Sequence, residues 1–174
     1  MGLFLTISAV FNVDTLILEA YNHLPLLVDI LAWRATSTRT RKVGSEVVSS
    51  RFTRIVKPFV RIHVPEFCHA MHATRAMITG SCARQMLSGD NSRINNLNIM
   101  VTNGGFDSFR TLIEDTLLYE WVDRTAKPHY AFDNSAQRFA TFKFQDLVIT
   151  VTEAKIDGLF KAILCSPPLQ ICCL

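Results

Sequence analysis

The feature that most constrains the fold is a strand–helix–strand unit near the middle of the chain. Residues 76–79 are suited to a short strand, and Gly80-Ser81 then begins a helix over 81–87. Residues 97–102 alternate with period two and predict a second strand. A hydrophobic period that switches from strand to helix and back predicts an α+β domain.

The chain before this unit is predicted to be helical. Residues 13–32 favour two helices separated by a turn at Leu24-Pro25, and the polar segment 36–41 is predicted to be a loop or a frayed helix end. Further helices are predicted over 46–60, where Pro58 is expected to end the helix, and over 65–75.

The last third of the chain is predicted to be rich in strands. A helix over 107–118, capped by Asp107, precedes an antiparallel hairpin of 138–144 with 146–152. Residues 156–164 fit either a short helix or an edge strand. We therefore expect a small mixed sheet with flanking helices over 61–166, preceded by a helical segment over 1–60 and followed by an irregular tail over 167–174.

Composition indicates a globular chain, with 49% hydrophobic and 19% charged residues and a net charge of +3. The five cysteines are odd in number and have no repeated spacing, which argues against a disulfide framework and favours a cytoplasmic or nuclear location.

The apolar run 2–11 is too short to span a bilayer, so no transmembrane segment is expected. No cofactor motif is predicted.

Positive charge is concentrated in one stretch, where only Glu46 opposes it. Its members are Arg34, Arg39, Arg41, Lys42, Arg51, Arg54, Lys57 and Arg61. A basic stretch can bind nucleic acid, and Arg51 and Arg54 are then the candidate contacts. The alternative is a solvated helix face, since no aromatic residues for base stacking are interleaved with the charges.

The central unit, with its later strands, resembles the core of the nucleotidyltransferase fold over roughly 67–164. In that family a Gly-Ser turn begins a helix whose backbone N–H groups face nucleotide phosphates, and Gly80-Ser81 matches it. The family's acid-x-acid pair is matched by Asn96 and Asn98, and its third acid by Thr150, with Thr152 as the other candidate on the same strand face.

The resemblance therefore implies a nucleotidyltransferase-like fold without catalytic activity, because neutral side chains replace the carboxylates that would hold divalent metal. It predicts no catalytic residue and no metal site, and leaves Gly80, Ser81, Asn96 and Asn98 as candidate ligand contacts. Glu153 is nearby but falls on the opposite strand face by parity. The alternative is an unrelated α+β domain in which Gly80-Ser81 is only a helix start.

The chain also resembles uncharacterised proteins of mushroom-forming fungi across residues 79–83, 96–101 and 149–153. Several of these begin with an F-box-like helical segment. Residues 11–14, 23–26 and the run to Arg41 resemble a diverged form of that segment. An F-box docks on a Skp-type adaptor of a ubiquitin ligase, so such an adaptor is the implied partner. The alternative is an ordinary N-terminal helical hairpin that closes the core.

Two groups of chemically reactive side chains lie close together in the sequence. Cys68 and His72 share a predicted helix face, but no second Cys/His cluster supplies the remaining metal ligands. Ser81 and Cys82 lie side by side without a nucleophile-elbow motif. Both clusters are interpreted as structural.

Overall fold

The computed structural model describes residues 13–123, 136–155 and 171–172. In chain order the helices are α1 (Val13–Asn22), α2 (Leu27–Arg34), α3 (Thr38–Val60), α4 (Val64–Ala73), α5 (Gly80–Ser88) and α6 (Phe106–Thr111), which continues as a π-helical turn, Leu112–Thr116. The strands are β1 (Met77–Thr79), β2 (Asn96–Val101), β3 (Glu120–Asp123), β4 (Ala136–Phe144), β5 (Leu147–Ala154) and β6 (Ile171–Cys172). The predicted α+β class is confirmed.

The strands form one mixed sheet in the order β3-β4-β5-β2-β1-β6. β2 and β5 run parallel, and the other neighbours are antiparallel. The predicted hairpin of β4 with β5 is confirmed, and Gln145 turns it with a φ of 52°. The parallel pair places the middle of β5 beside the middle of β2.

One face of the sheet packs against the helices. Leu97 and Ile99 on β2 and Ile149 and Val151 on β5 are almost completely buried, as period-two alternation requires. They belong to one hydrophobic core with residues of α3, α4, α5 and α6, among them Val56, Phe59, Phe67, Met71, Ala83, Met86 and Phe109. The residues between them, including Asn96 and Asn98, point to the other face.

The N-terminal helices have a small core of their own. Tyr21, Ile30 and Val43 are buried together, and the Tyr21 hydroxyl donates to the carbonyl of Thr40 at 2.8 Å. Gly44 is needed there because a Cβ would lie 2.5 Å from the Tyr21 oxygen. Helix α3 contributes to this core and to the main one, so the helical segment placed over 1–60 shares its last helix with the sheet domain.

The start of α3 differs from the sequence prediction, which gave 36–41 as a loop or a frayed helix end and began the helix at 46. The Ser37 side chain accepts from the Thr40 N–H, and the Thr40 hydroxyl accepts from the Ser37 N–H, both at 3.1 Å. This reciprocal capping box starts the helix at Thr38. Pro58 also does not end the helix, since it lies inside α3.

The helix predicted over 107–118 is interrupted. It begins at Phe106 after Gly105, which supplies no side-chain cap, so Asp107 as cap was wrong. The chain then widens into the π-helical turn, in which the Leu117 N–H reaches back to the carbonyl of Leu112 at 3.0 Å. This turn leads directly into β3, a strand that the sequence did not predict.

The tail also differs in part from the irregular segment expected over 167–174, because Ile171–Cys172 pairs with β1. The prediction for 156–164 falls outside the described residues.

Candidate functional site

Gly80 forms the turn between β1 and α5, directly beside Asn98. Its φ is +71°, a conformation that favours glycine, and a Cβ at this position would lie 2.6 Å from the Asn98 Nδ2 atom. The preceding residue, Thr79, is the antiparallel partner of Asn98. Both the backbone conformation and the contact with Asn98 therefore favour glycine.

Ser81 and Cys82 bind the first turn of α5 to the start of β2. The Ser81 hydroxyl donates to the Asn96 side-chain oxygen at 3.0 Å, and the Cys82 thiol donates to the Asn96 carbonyl at 3.3 Å. Asn96 is exposed, so its amide nitrogen is free to face solvent. These bonds fix the helix N-terminus relative to the strand.

Thr150 on β5 is the direct register partner of Asn98. Both side chains are half-buried on the sheet face opposite the helices, the face that also carries Asn96. The structure thus brings all four predicted contact residues, Gly80, Ser81, Asn96 and Asn98, into one place with Thr150.

The chemistry of this place is that of neutral polar groups. The residues of β2 and β5 that point to this face are Asn96, Asn98, Met100, Val148, Thr150, Thr152 and Ala154, and none of them is charged. Amide and hydroxyl oxygens can accept hydrogen bonds, but they do not offset the charge of a divalent cation or act as a general base near neutral pH. Among the described ranges, no group of three or more His, Cys, Asp or Glu side chains is placed to hold a metal ion.

Glu153 lies on the helix-facing side of β5, as its parity predicted, and is completely buried. The Gly104 N–H donates to it at 2.6 Å, and the Arg138 guanidinium donates to both of its oxygens. Arg138 also binds both oxygens of Asp107, at 3.0 and 3.1 Å. Glu153 therefore connects β5 to β4 through Arg138 and to the segment before α6 through Gly104.

Hydrogen bonding to Glu153 is the main reason why the pKa of Arg138 is raised, and Asp107 adds to the effect. The guanidinium also lies 4.6 Å from the centre of the Phe106 ring. Sequence reasoning missed this network because its members are far apart along the chain.

The two cysteines near the predicted clusters are poor nucleophiles. Burial raises the pKa of the Cys82 thiol to about 12, and burial also raises the pKa of Cys68. The thiolate is the reactive form, so Cys82 stays protonated and unreactive near neutral pH. Its hydrogen bond to Asn96 gives it a structural role instead.

Arg51 and Arg54, the two candidate nucleic-acid contacts, differ in burial and in hydrogen bonding. The Arg51 guanidinium is half-buried and donates to the carbonyls of Pro25, Met86 and Leu24 at 2.9, 3.2 and 3.4 Å. It holds α3 to the turn after α1 and to the end of α5. Arg54 is exposed, and among the described residues its side chain has no hydrogen-bond or ion-pair partner.

Other cations of the basic stretch also have internal partners. Arg39 pairs with Asp14, while Arg61 donates to the Leu117 carbonyl and lies 4.2 Å from the centre of the Phe144 ring.

Helices α1 and α2 expose large apolar side chains. Leu16, Leu18, Leu26 and Val28 are between 43% and 63% exposed. An open groove of about 480 Å³ is lined by residues of both helices, mainly through apolar groups that include Ala20 and Trp33. Exposed apolar side chains contribute to protein interaction surfaces.

None of the helices described is both long and apolar enough to cross a membrane. Comparisons with protein-family models, curated proteins and solved structures found no match for this chain.

Proposed function

We propose that this chain is a non-catalytic binding or adaptor protein built on a degenerate nucleotidyltransferase-like fold. The observation that carries the proposal is the Asn98–Thr150 register pair beside the Gly80 turn. Asn98 and Thr150 match positions at which the nucleotidyltransferase family has metal-binding carboxylates. Here the two positions carry an amide and a hydroxyl.

The topology supports this reading. The order of a strand, a Gly-Ser turn, a helix, a second strand, a second helix and a later strand hairpin is the one that the resemblance implies, with β3 as an additional strand before the hairpin. The last strand of that hairpin, β5, lies parallel to β2. The Gly80 turn has a conformation that favours glycine, while the residues at the positions of the family's acids are uncharged. This turn beside neutral side chains fits binding better than phosphoryl transfer, which depends on metal-bridged phosphates.

The test is a nucleotidyl-transfer assay of the full chain with each nucleoside triphosphate in Mg²⁺ and in Mn²⁺. We expect no product above the protein-free control. Metal-dependent transfer that Asn98→Ala abolishes would overturn the proposal, because it would place chemistry at this site.

A second candidate function is that of a ubiquitin-ligase substrate adaptor that docks through its N-terminal helices. The exposed apolar side chains of α1 and α2 favour it, because a Skp-type adaptor binds by burying apolar helix faces. Deleting residues 1–45 would remove Tyr21 and Val43 from the N-terminal core, so point substitutions are the better test.

The experiment is a binding titration of the full chain with a purified Skp-type adaptor. Leu26→Ser with Val28→Ser is expected to abolish binding, since both residues are exposed and their loss leaves the core intact. Ile62→Ser with Leu118→Ser is the control, because those residues are equally apolar and are 83% and 62% exposed elsewhere. Absence of binding by the wild-type chain removes this candidate.

A further inference from the structure

A groove of about 570 Å³ lies between the exposed side of α3 and the segment 91–94, which leads into β2. Its polar lining residues include Arg54, Asn91, Ser92 and Arg93, and its apolar lining residues include Pro58 and Leu147. The volume is that of a small-molecule site. The groove shares no lining residue with the Gly80 and Asn98 site.

The charged residues that line the groove are both cationic. Arg54 and Arg93 are both exposed, and within the described ranges neither guanidinium has a hydrogen-bond or ion-pair partner. No carboxylate is among the described residues that line it. The charge of Arg54 also contributes, after burial, to the lowered pKa of Arg51. Two guanidiniums without a neutralising acid form a site for an anion.

The segment that carries Arg93 is held in place before any ligand arrives. The Gln85 side chain donates to the Ser92 carbonyl at 2.6 Å, and Asp90 accepts from the N–H and the hydroxyl of Ser92 at 3.0 and 2.7 Å. These hydrogen bonds are the main reason why the pKa of Asp90 is lowered. These hydrogen bonds hold the segment in its conformation, and the Asp90 carboxylate, which remains charged, does not line the groove. Preorganisation lowers the cost of binding.

We propose that this groove binds a small organic phosphate, whose phosphoryl group is held by Arg54 and Arg93 and whose apolar part lies against Pro58, Ile94 and Leu147. Guanidinium groups match phosphoryl oxygens in geometry and charge. The proposal is independent of the function proposed above.

Two features favour a small ligand over a nucleic acid. Both neighbouring grooves along α3, which share Arg54 with this one, are also lined by Glu46, so an extended polyanion would meet a carboxylate there. The aromatic residue of the groove, Phe59, is only 1% exposed and offers no face for base stacking.

The experiment is a calorimetric titration of the full chain with phenyl phosphate, with inorganic phosphate and with a short DNA duplex as separate probes. We expect phenyl phosphate to bind more tightly than inorganic phosphate. The double variant Arg54→Gln with Arg93→Gln is expected to bind phenyl phosphate roughly tenfold or more weakly, because it loses charge-assisted hydrogen bonds to the phosphoryl group.

The matched control is Arg41→Gln with Arg75→Gln, which removes the same charge from two exposed positions outside the groove. It should leave affinity for phenyl phosphate within about twofold of the wild type. Equal weakening by both double variants, equal affinity for inorganic phosphate, or binding of the duplex alone would each overturn the proposal. Circular dichroism confirms that the variants are folded.

Discussion

Asn98 and Thr150 are direct partners in the parallel ladder of β2 and β5, and the Asn98 amide lies against the Gly80 turn. Two strands that are distant in sequence thus place neutral polar groups at one helix N-terminus. The same strands place Glu153 on the opposite face, buried and paired with Arg138. The acid closest in sequence to the site is therefore held away from it.

Gly80→Ala is expected to lower the free energy of unfolding by about 1 to 3 kcal/mol, since alanine is strained at this positive φ and its Cβ meets the Asn98 amide. Urea denaturation measures the change. Gly104→Ala is the matched control, because Gly104 also has a positive φ of +85° but has open space around it. A cost at Gly80 no larger than that at Gly104 would contradict the close contact with Asn98.

Arg51→Gln is expected to destabilise the chain by about 1.5 to 3 kcal/mol, because three backbone carbonyls lose a charged donor. Arg54→Gln, three residues along the same helix, should change stability by less than about 0.5 kcal/mol, since its side chain is exposed. Thermal and urea unfolding of the two variants give the comparison. Equal effects would show that Arg51 has no structural role.

Glu153→Gln is expected to cost about 2 to 4 kcal/mol, because it removes the charge of a completely buried carboxylate that Arg138 and the Gly104 N–H bind. Asp107→Asn should cost less than about 1 kcal/mol, since Asp107 contacts the same guanidinium from a side chain that is 68% exposed. Chemical denaturation of both variants tests the difference. A larger loss from Asp107→Asn would invert the assigned roles.

Much of the fold is predictable because it depends on local pattern. The period-two alternation of β2, β4 and β5 and the helical periodicity of α1 and α2 are each produced by burial of one face. The start of α3 was missed because its capping box uses Thr40, where glutamate or glutamine is the usual signal.

The candidate site was predictable in part, since strand parity assigns Asn96 and Asn98 to one face of β2. Thr150 was matched to the same site through the resemblance, because parity within one strand does not show which strand lies beside it. The partners of charged residues were not predictable. Arg51 binds carbonyls of Leu24, Pro25 and Met86, which only the tertiary fold brings together. A linear run of positive charge therefore does not reveal which cations remain free to bind a ligand.

The most direct test of the central claim is a Mn²⁺ titration, followed by electron paramagnetic resonance, of the wild-type chain and of the triple variant Asn96→Asp, Asn98→Asp, Thr150→Asp. The account predicts that the wild type does not bind Mn²⁺ at this site. The triple variant should gain binding, because three carboxylates would then converge beside the Gly80 turn. Wild-type binding that Asn98→Ala removes, or a triple variant that folds and gains no binding, would contradict it.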